Sequence, residues 1–131
     1  RTQIQNGADV VYAAAGGTGS GVYQAAADAG VLAIGVDSNQ NWMQPGTMLT
    51  SMLKRVGEAA YDSYEAANNG TWEAGFRILG LAEDGVGWAL DEYNRDLITP
   101  EMEARVNEAR DAIIAGDIVV HDYMADSSCP I

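Results

Sequence analysis

Four glycines, Gly16, Gly17, Gly19 and Gly21, crowd into "AAAGGTGSGVYQAA" at residues 13–26. A stretch without side chains at a helix start can cradle a phosphate on its N–H groups, or lay bare backbone against another ligand. A tight strand-to-helix turn with no ligand is the third alternative. Gly17 and Gly19 fit the first pair of a dinucleotide fingerprint, and Asp37 ends the next strand where an acid would hold a ribose. The third glycine position falls on Val22, whose branched side chain blocks close helix–strand packing, so the fingerprint is broken. No Gly-Lys-Ser/Thr follows, which removes a Walker loop. "TGSGV" lacks the first glycine of a nucleophile elbow, and Ser20 has only His121 as a base.

Other reactive chemistry is thin. Cys129 and His121 stand singly, without metal-ligand spacing, so neither a metal nor a cofactor is called for. The acidic pairs Glu83-Asp84 and Asp91-Glu92 read as solvated loop charges. Nothing assembles nucleophile, base and orienting group. A binding site fits this chain better than an active site, and we expect no enzyme.

The elements that must position these residues follow from pattern. Residues 1–6 read as the tail of a helix stopped at Gly7, which makes the chain a fragment or processed product. The apolar run 9–15 suits a strand buried on both faces. Val22, Ala25, Ala26 and Ala29 recur at helical spacing over 19–29, Gly30 closes that helix, and 31–37 is a second buried strand. Residues 38–47 carry turn chemistry, and 48–54 are extended. Val56, Ala59, Ala60, Tyr64 and Ala67 make a helical stripe over 55–69. Residues 75–82 read as a strand and 85–93 as a glycine-punctuated extended segment. Thr99 and Pro100 open a helix with Glu101 and Glu103 in its first turn. Met102, Val106, Ala109 and Ile113 form its expected buried stripe, Gly116 ends it, and 117–124 is a final strand. The sum is an α/β domain with a mostly parallel sheet.

The charge balance restricts partners. Nineteen acidic residues face seven basic ones, for a net charge of −12 over 131 residues. Phosphate backbones need Lys and Arg, so nucleic acid is an unsuitable partner. No stretch reaches the ~20 apolar residues of a membrane span. Lys54 is the single lysine.

Taken together, "GADVVYAAAGGTGSGVYQAA", "AIGVDSNQ", "PGTMLTSMLKRV" and "GLAEDGVGWAL" closely resemble the basic membrane protein family. These are substrate-binding lipoproteins of ABC importers, and known members bind purine nucleosides. The resemblance implies a type I periplasmic-binding-protein fold, with two Rossmann-like lobes, each a parallel sheet flanked by helices, closing on a ligand. This chain would be a partial copy lacking most of the amino-terminal lobe. Residues 1–50 would belong to the carboxyl-terminal lobe, 51–82 would cross to the amino-terminal lobe and return, and 83–131 would complete the carboxyl-terminal lobe.

The same resemblance implies roles for particular residues. Gly16, Gly17 and Thr18 would present backbone to a nucleoside, with no phosphate involved. Asp37 would accept the ribose hydroxyls, and Lys54 would reach the sugar from the hinge strand. Tyr12 could stack on the base, and Trp42 could act as a lid. Each has a plainer alternative: a turn residue for Asp37, a surface cation beside Glu58 for Lys54, core for Tyr12 and a hydrophobic plug for Trp42. Trp88 reads as lobe packing. Expected partners are a small molecule, an ABC permease and the missing lobe, at a periplasmic or cell-surface location with a lipid anchor. A complete member carries its lipidated cysteine near the amino terminus; Cys129 lies at the wrong end. A nucleotide-cofactor enzyme fragment and a sensor domain on the same fold are the rivals.

Overall fold

The computed structural model describes residues 1–129. It forms two compact units, one from Arg1 to Thr99 and one from Pro100 onward.

The first unit opens with α1 (Thr2–Gln5) and β1 (Val10–Tyr12). A 3-10 turn at Gly16–Thr18 leads into α2 (Gly19–Ala29) and then β2 (Leu32–Gly35). The crossover from β2 carries a second 3-10 turn at Asn41–Met43 and delivers the chain to β3 (Met48–Lys54). Then come α3 (Val56–Asn69) and β4 (Val86–Trp88). The strands lie in the order β1-β2-β3-β4. β1, β2 and β3 run parallel, with Val11 opposite Ala33 and Ile34 opposite Thr50, and β4 is antiparallel to β3. The βαβ unit expected from 9–37 is present, although its first strand is shorter than the apolar run.

The core sits between α2 and the parallel strands. Val11, Tyr23, Ala26, Ala33 and Met48 are buried together, and Ile4, Ala8, Val22, Val31 and Met43 pack against them. Met48 is fully removed from solvent, a burial that stabilises by about 2 kcal/mol. Tyr23, which lies outside the expected stripe, carries the largest buried side chain. Gly30 ends α2 in the left-handed region at φ 67°, where its missing Cβ avoids a clash and its N–H closes the last turn.

Several expected elements are absent. Residues 75–82 form no strand; Phe76 and Ile78 are fully or almost fully exposed. A strand needs a partner ladder, and the chain instead leaves this segment through a turn in which Gly85 N–H donates to Gly80 O at 2.9 Å. The extended segment at 85–93 reduces to β4 followed by turns. α3 exists as expected, yet none of its residues is buried. Periodicity marks an apolar face and does not supply the surface that covers it.

In the second unit, α4 (Pro100–Ala115) starts at the expected proline with Glu101 and Glu103 in its first turn. Its stripe is not buried: Met102 and Val106 are exposed. The final strand is also absent. Val119 and Val120 are exposed, and Asp122 caps α5 (Tyr123–Asp126) by accepting from Met124 N–H. No helix is long and apolar enough to cross a membrane among the described residues.

Candidate functional site

Parallel strands bring successive carboxyl ends to one edge of a sheet, where ligands gather in open α/β folds. Tyr12 ends β1, Asp37 follows β2, and Lys54 ends β3. The structure brings the last two into contact. Lys54 Nζ lies 2.8 Å from Asp37 Oδ1, and the Lys54 N–H donates to Asp37 O at 2.8 Å. Asp37 has a left-handed backbone, φ 69°, a conformation that L-residues other than Asn and Asp rarely adopt. Both side chains are about half exposed. An exposed pair of this kind adds little stability, ~0–1 kcal/mol, so stability does not explain the arrangement. The alternative partner for Lys54, Glu58, is not the one it takes.

The glycine loop lies beyond β1. Gly16, Gly17 and Thr18 are exposed, and Ser20 Oγ donates to Gly17 O at 3.0 Å. A Cβ placed on Gly16 or Gly17 would meet nothing within 4 Å. Gly19 differs: its Cβ would stand 3.1 Å from the Tyr23 hydroxyl, so internal packing accounts for that glycine. Tyr12 is 53% exposed in this chain. Burial raises the Tyr23 pKa above 10.0, and the nearby Tyr12 and Asp37 raise it further against the Val36 N–H. Tyr23 therefore stays protonated and donates its hydroxyl to Gln40 Oε1. Trp42 is 61% exposed on the β2–β3 crossover. The Asp37–Lys54 pair does not involve it.

A polar network joining β3 to the β2–β3 crossover and to the turn at Asp91–Asn94 escapes sequence reasoning. Ser51 is fully buried; its Oγ accepts from Gln40 N–H at 2.9 Å and donates to Asn41 Oδ1 at 2.8 Å. Asn39 and Asn41 each donate a side-chain amide to Asp91 Oδ2, at 2.6 and 3.0 Å. Buried Asn94 donates to Leu49 O and Ala89 O and accepts from Asp91 N–H. Asp91 is thus no solvated loop charge. Burial alone would raise its pKa, but hydrogen bonds from Asn39, Tyr93 N–H and Asn41 outweigh it and hold the carboxyl below 3.8. The signal in the sequence was the Ser-Asn-Gln-Asn run after Asp37, visible only as turn chemistry. Glu83 and Asp84 also have partners, Gly80 N–H and Arg55. His121 contacts Asp126 and Ser128 O in an irregular segment rather than a strand.

A sequence profile of the PnrA-like ABC transporter substrate-binding proteins (Bmp) matches residues 1–122. The chain belongs to this family. An uncharacterised lipoprotein of Pyrococcus abyssi is 41% identical over 67% of the chain and 24% of its own length. The CD4+ T-cell-stimulating antigen of Listeria monocytogenes is 36% identical over 91% of the chain and 37% of its own length. Basic membrane protein D of Borreliella burgdorferi is 36% identical over 67% of the chain and 27% of its length. The chain therefore spans well under half of each of these relatives. Among solved structures, an ABC solute-binding protein of Aeropyrum pernix superposes with TM-score 0.73 at 27% identity, covering 94% of this chain and 44% of that one. A transcriptional activator of the comK gene from Bacillus halodurans shares the fold, with TM-score 0.81 at 22% identity over 92% and 41% of the two chains. The fold is the α/β solute-binding type, a parallel sheet flanked by helices, as the sequence resemblance implied.

Proposed function

We propose that this chain is the carboxyl-terminal part of an extracytoplasmic substrate-binding protein that captures a purine nucleoside and delivers it to an ABC permease. The carrying observation is the Asp37–Lys54 pair, set at the carboxyl ends of adjacent parallel strands and half open to solvent. A carboxylate is suited to a ribose because its two oxygens accept from two vicinal hydroxyls in charge-assisted bonds. Lys54 supplies the complementary donor to a sugar oxygen. Gly16, Gly17 and Thr18 offer exposed backbone to the same ligand, Tyr12 an aromatic face for the base, and Trp42 a lid. In this scheme residues 1–50 and 83–131 belong to one lobe and 51–82 lead to and from the other. Capture is a hinge closure, with ligand favouring the closed state through contacts that both lobes supply. The lipoprotein relatives support anchoring at the outer face of the membrane.

The test is calorimetric titration of the protein in its full natural length with purine nucleosides and, separately, with NAD. Nucleoside binding that Asp37→Ala abolishes supports the assignment. NAD binding, or no nucleoside binding, overturns it.

A further inference from the structure

We infer that Gln40 is the positioning residue of the Asp37–Lys54 pair, tying together the three elements that carry the candidate site. Its Oε1 accepts from the Tyr23 hydroxyl at 2.6 Å and from Val36 N–H at 2.9 Å. Its backbone N–H donates to Ser51 Oγ at 2.9 Å. Tyr23 belongs to α2, the helix that follows the glycine loop. Val36 immediately precedes Asp37, and Ser51 lies in β3, the strand that ends at Lys54. One side-chain oxygen and one amide thus set the glycine-loop helix, the carboxylate and the ammonium relative to each other.

The space for this arrangement is built into the backbone. A Cβ on Gly35 would stand 2.5 Å from Ser51 Oγ and 3.1 Å from both Gln40 Cβ and Gln40 Oε1, so the Ser51 and Gln40 side chains together occupy the place that a larger residue at 35 would take. The Val36 N–H is also the last backbone donor before the left-handed Asp37, where the chain leaves the sheet. Binding it to Gln40 fixes the Gly35–Val36 peptide at the entry to the turn that Ser38 N–H closes around Asp37 on Val36 O at 2.9 Å, and the Asp37 carbonyl then receives Lys54 N–H. Gln40 itself is only half-buried and carries no charge. Its action on a ligand therefore runs through Asp37, and in that respect the inference rests on the nucleoside assignment above.

Two measurements test it on the full-length protein carrying Gln40→Leu, with Tyr23→Phe as the milder variant that deletes one of the two bonds and keeps the ring. The first is amide hydrogen exchange without ligand. Exchange at Val36 and Lys54 should rise about tenfold or more in Gln40→Leu, while Val11 and Ala33 in the same sheet keep their protection. If Gln40→Leu does not fold, Tyr23→Phe should show the same local pattern at smaller amplitude. Unchanged exchange at Val36 and Lys54, or a rise spread evenly through the sheet, overturns the inference whatever the ligand proves to be. The second is affinity for a ribonucleoside against its 2′-deoxy analogue. Loss of the Asp37 geometry should weaken the ribonucleoside by roughly tenfold and bring the two affinities together. An unaltered ribo-to-deoxy ratio in Gln40→Leu overturns the inference. Failure of the wild type to bind either nucleoside overturns the nucleoside assignment instead, and the exchange arm then decides the role of Gln40.

Discussion

Asp37 and Lys54 are joined twice, once through backbone and once through side chains. The Lys54 N–H donates to Asp37 O at 2.8 Å, and its ammonium lies 2.8 Å from Asp37 Oδ1. The backbone bond sets where the two Cα atoms stand, so the ion pair does not have to hold the strands together. Its charges are therefore available to a ligand at small cost to the fold.

Lys54→Ala should accordingly separate stability from binding. The lost pair is half exposed, and its removal is expected to cost ~0–1 kcal/mol in denaturant unfolding. Nucleoside affinity should fall by about tenfold or more, as one charge-assisted hydrogen bond to the ligand is lost. A large loss of stability with unchanged affinity would assign Lys54 to the fold alone.

Backbone conformation distinguishes substitutions at Asp37. At φ 69° glycine is at ease, whereas a β-branched residue pays roughly 1–2 kcal/mol. Asp37→Gly should melt at or near the wild-type temperature and Asp37→Val clearly below it, while neither binds nucleoside. Equal melting temperatures for the two variants would contradict the left-handed assignment.

Two glycines should respond in opposite ways to alanine. A Cβ on Gly35 would stand 2.5 Å from the buried Ser51 Oγ, so Gly35→Ala is expected to cost about 1–3 kcal/mol through overpacking. Gly17 has nothing within 4 Å of that position, and Gly17→Ala should stay within about 0.5 kcal/mol. Urea unfolding of both variants, with nucleoside titration of Gly17→Ala, compares packing with ligand approach. Weakened binding in Gly17→Ala at unchanged stability is the expected result.

Asp91 gives the fold an acid-labile component. Its pKa in the folded protein lies below 3.8, because hydrogen bonds from Asn39, Tyr93 N–H and Asn41 outweigh burial. A depressed carboxylate contributes its full stability above the unfolded-state pKa and loses it as pH falls through the folded value. Wild-type melting temperature should therefore drop below about pH 4, and its advantage over Asp91→Asn should shrink across that interval. An advantage independent of pH would show that the carboxylate charge is not what the amides of Asn39 and Asn41 recognise.

The parts legible in the sequence share a cause. The run 9–37 is local: a buried strand, a helix stopped by Gly30 and a second buried strand can be read from adjacent residues. The resemblance then singled out Asp37 and Lys54, and the parallel sheet brought both to one edge. The segments 75–82 and 117–124 have strand-like composition, but a strand exists only where another strand accepts its hydrogen bonds. The stripes on α3 and α4 are apolar by sequence and exposed in the structure, because burial depends on a covering surface.

Tyr23, Gln40, Ser51, Asp91 and Asn94 were the least legible. Each is a common residue type whose role comes from a partner far along the chain, as in the bond from Asn39 to Asp91. By itself the sequence determined the βαβ unit, the open glycine loop, the acidic balance and the family, since each rests on composition or local order. Only the tertiary structure decided that Asp37 turns left-handed to meet Lys54, and that Gln40 bonds Tyr23 of α2, Val36 just after β2 and Ser51 of β3. Those contacts are set by strand order and register, and hydrogen-bond geometry across strands is not encoded in any single stretch of residues.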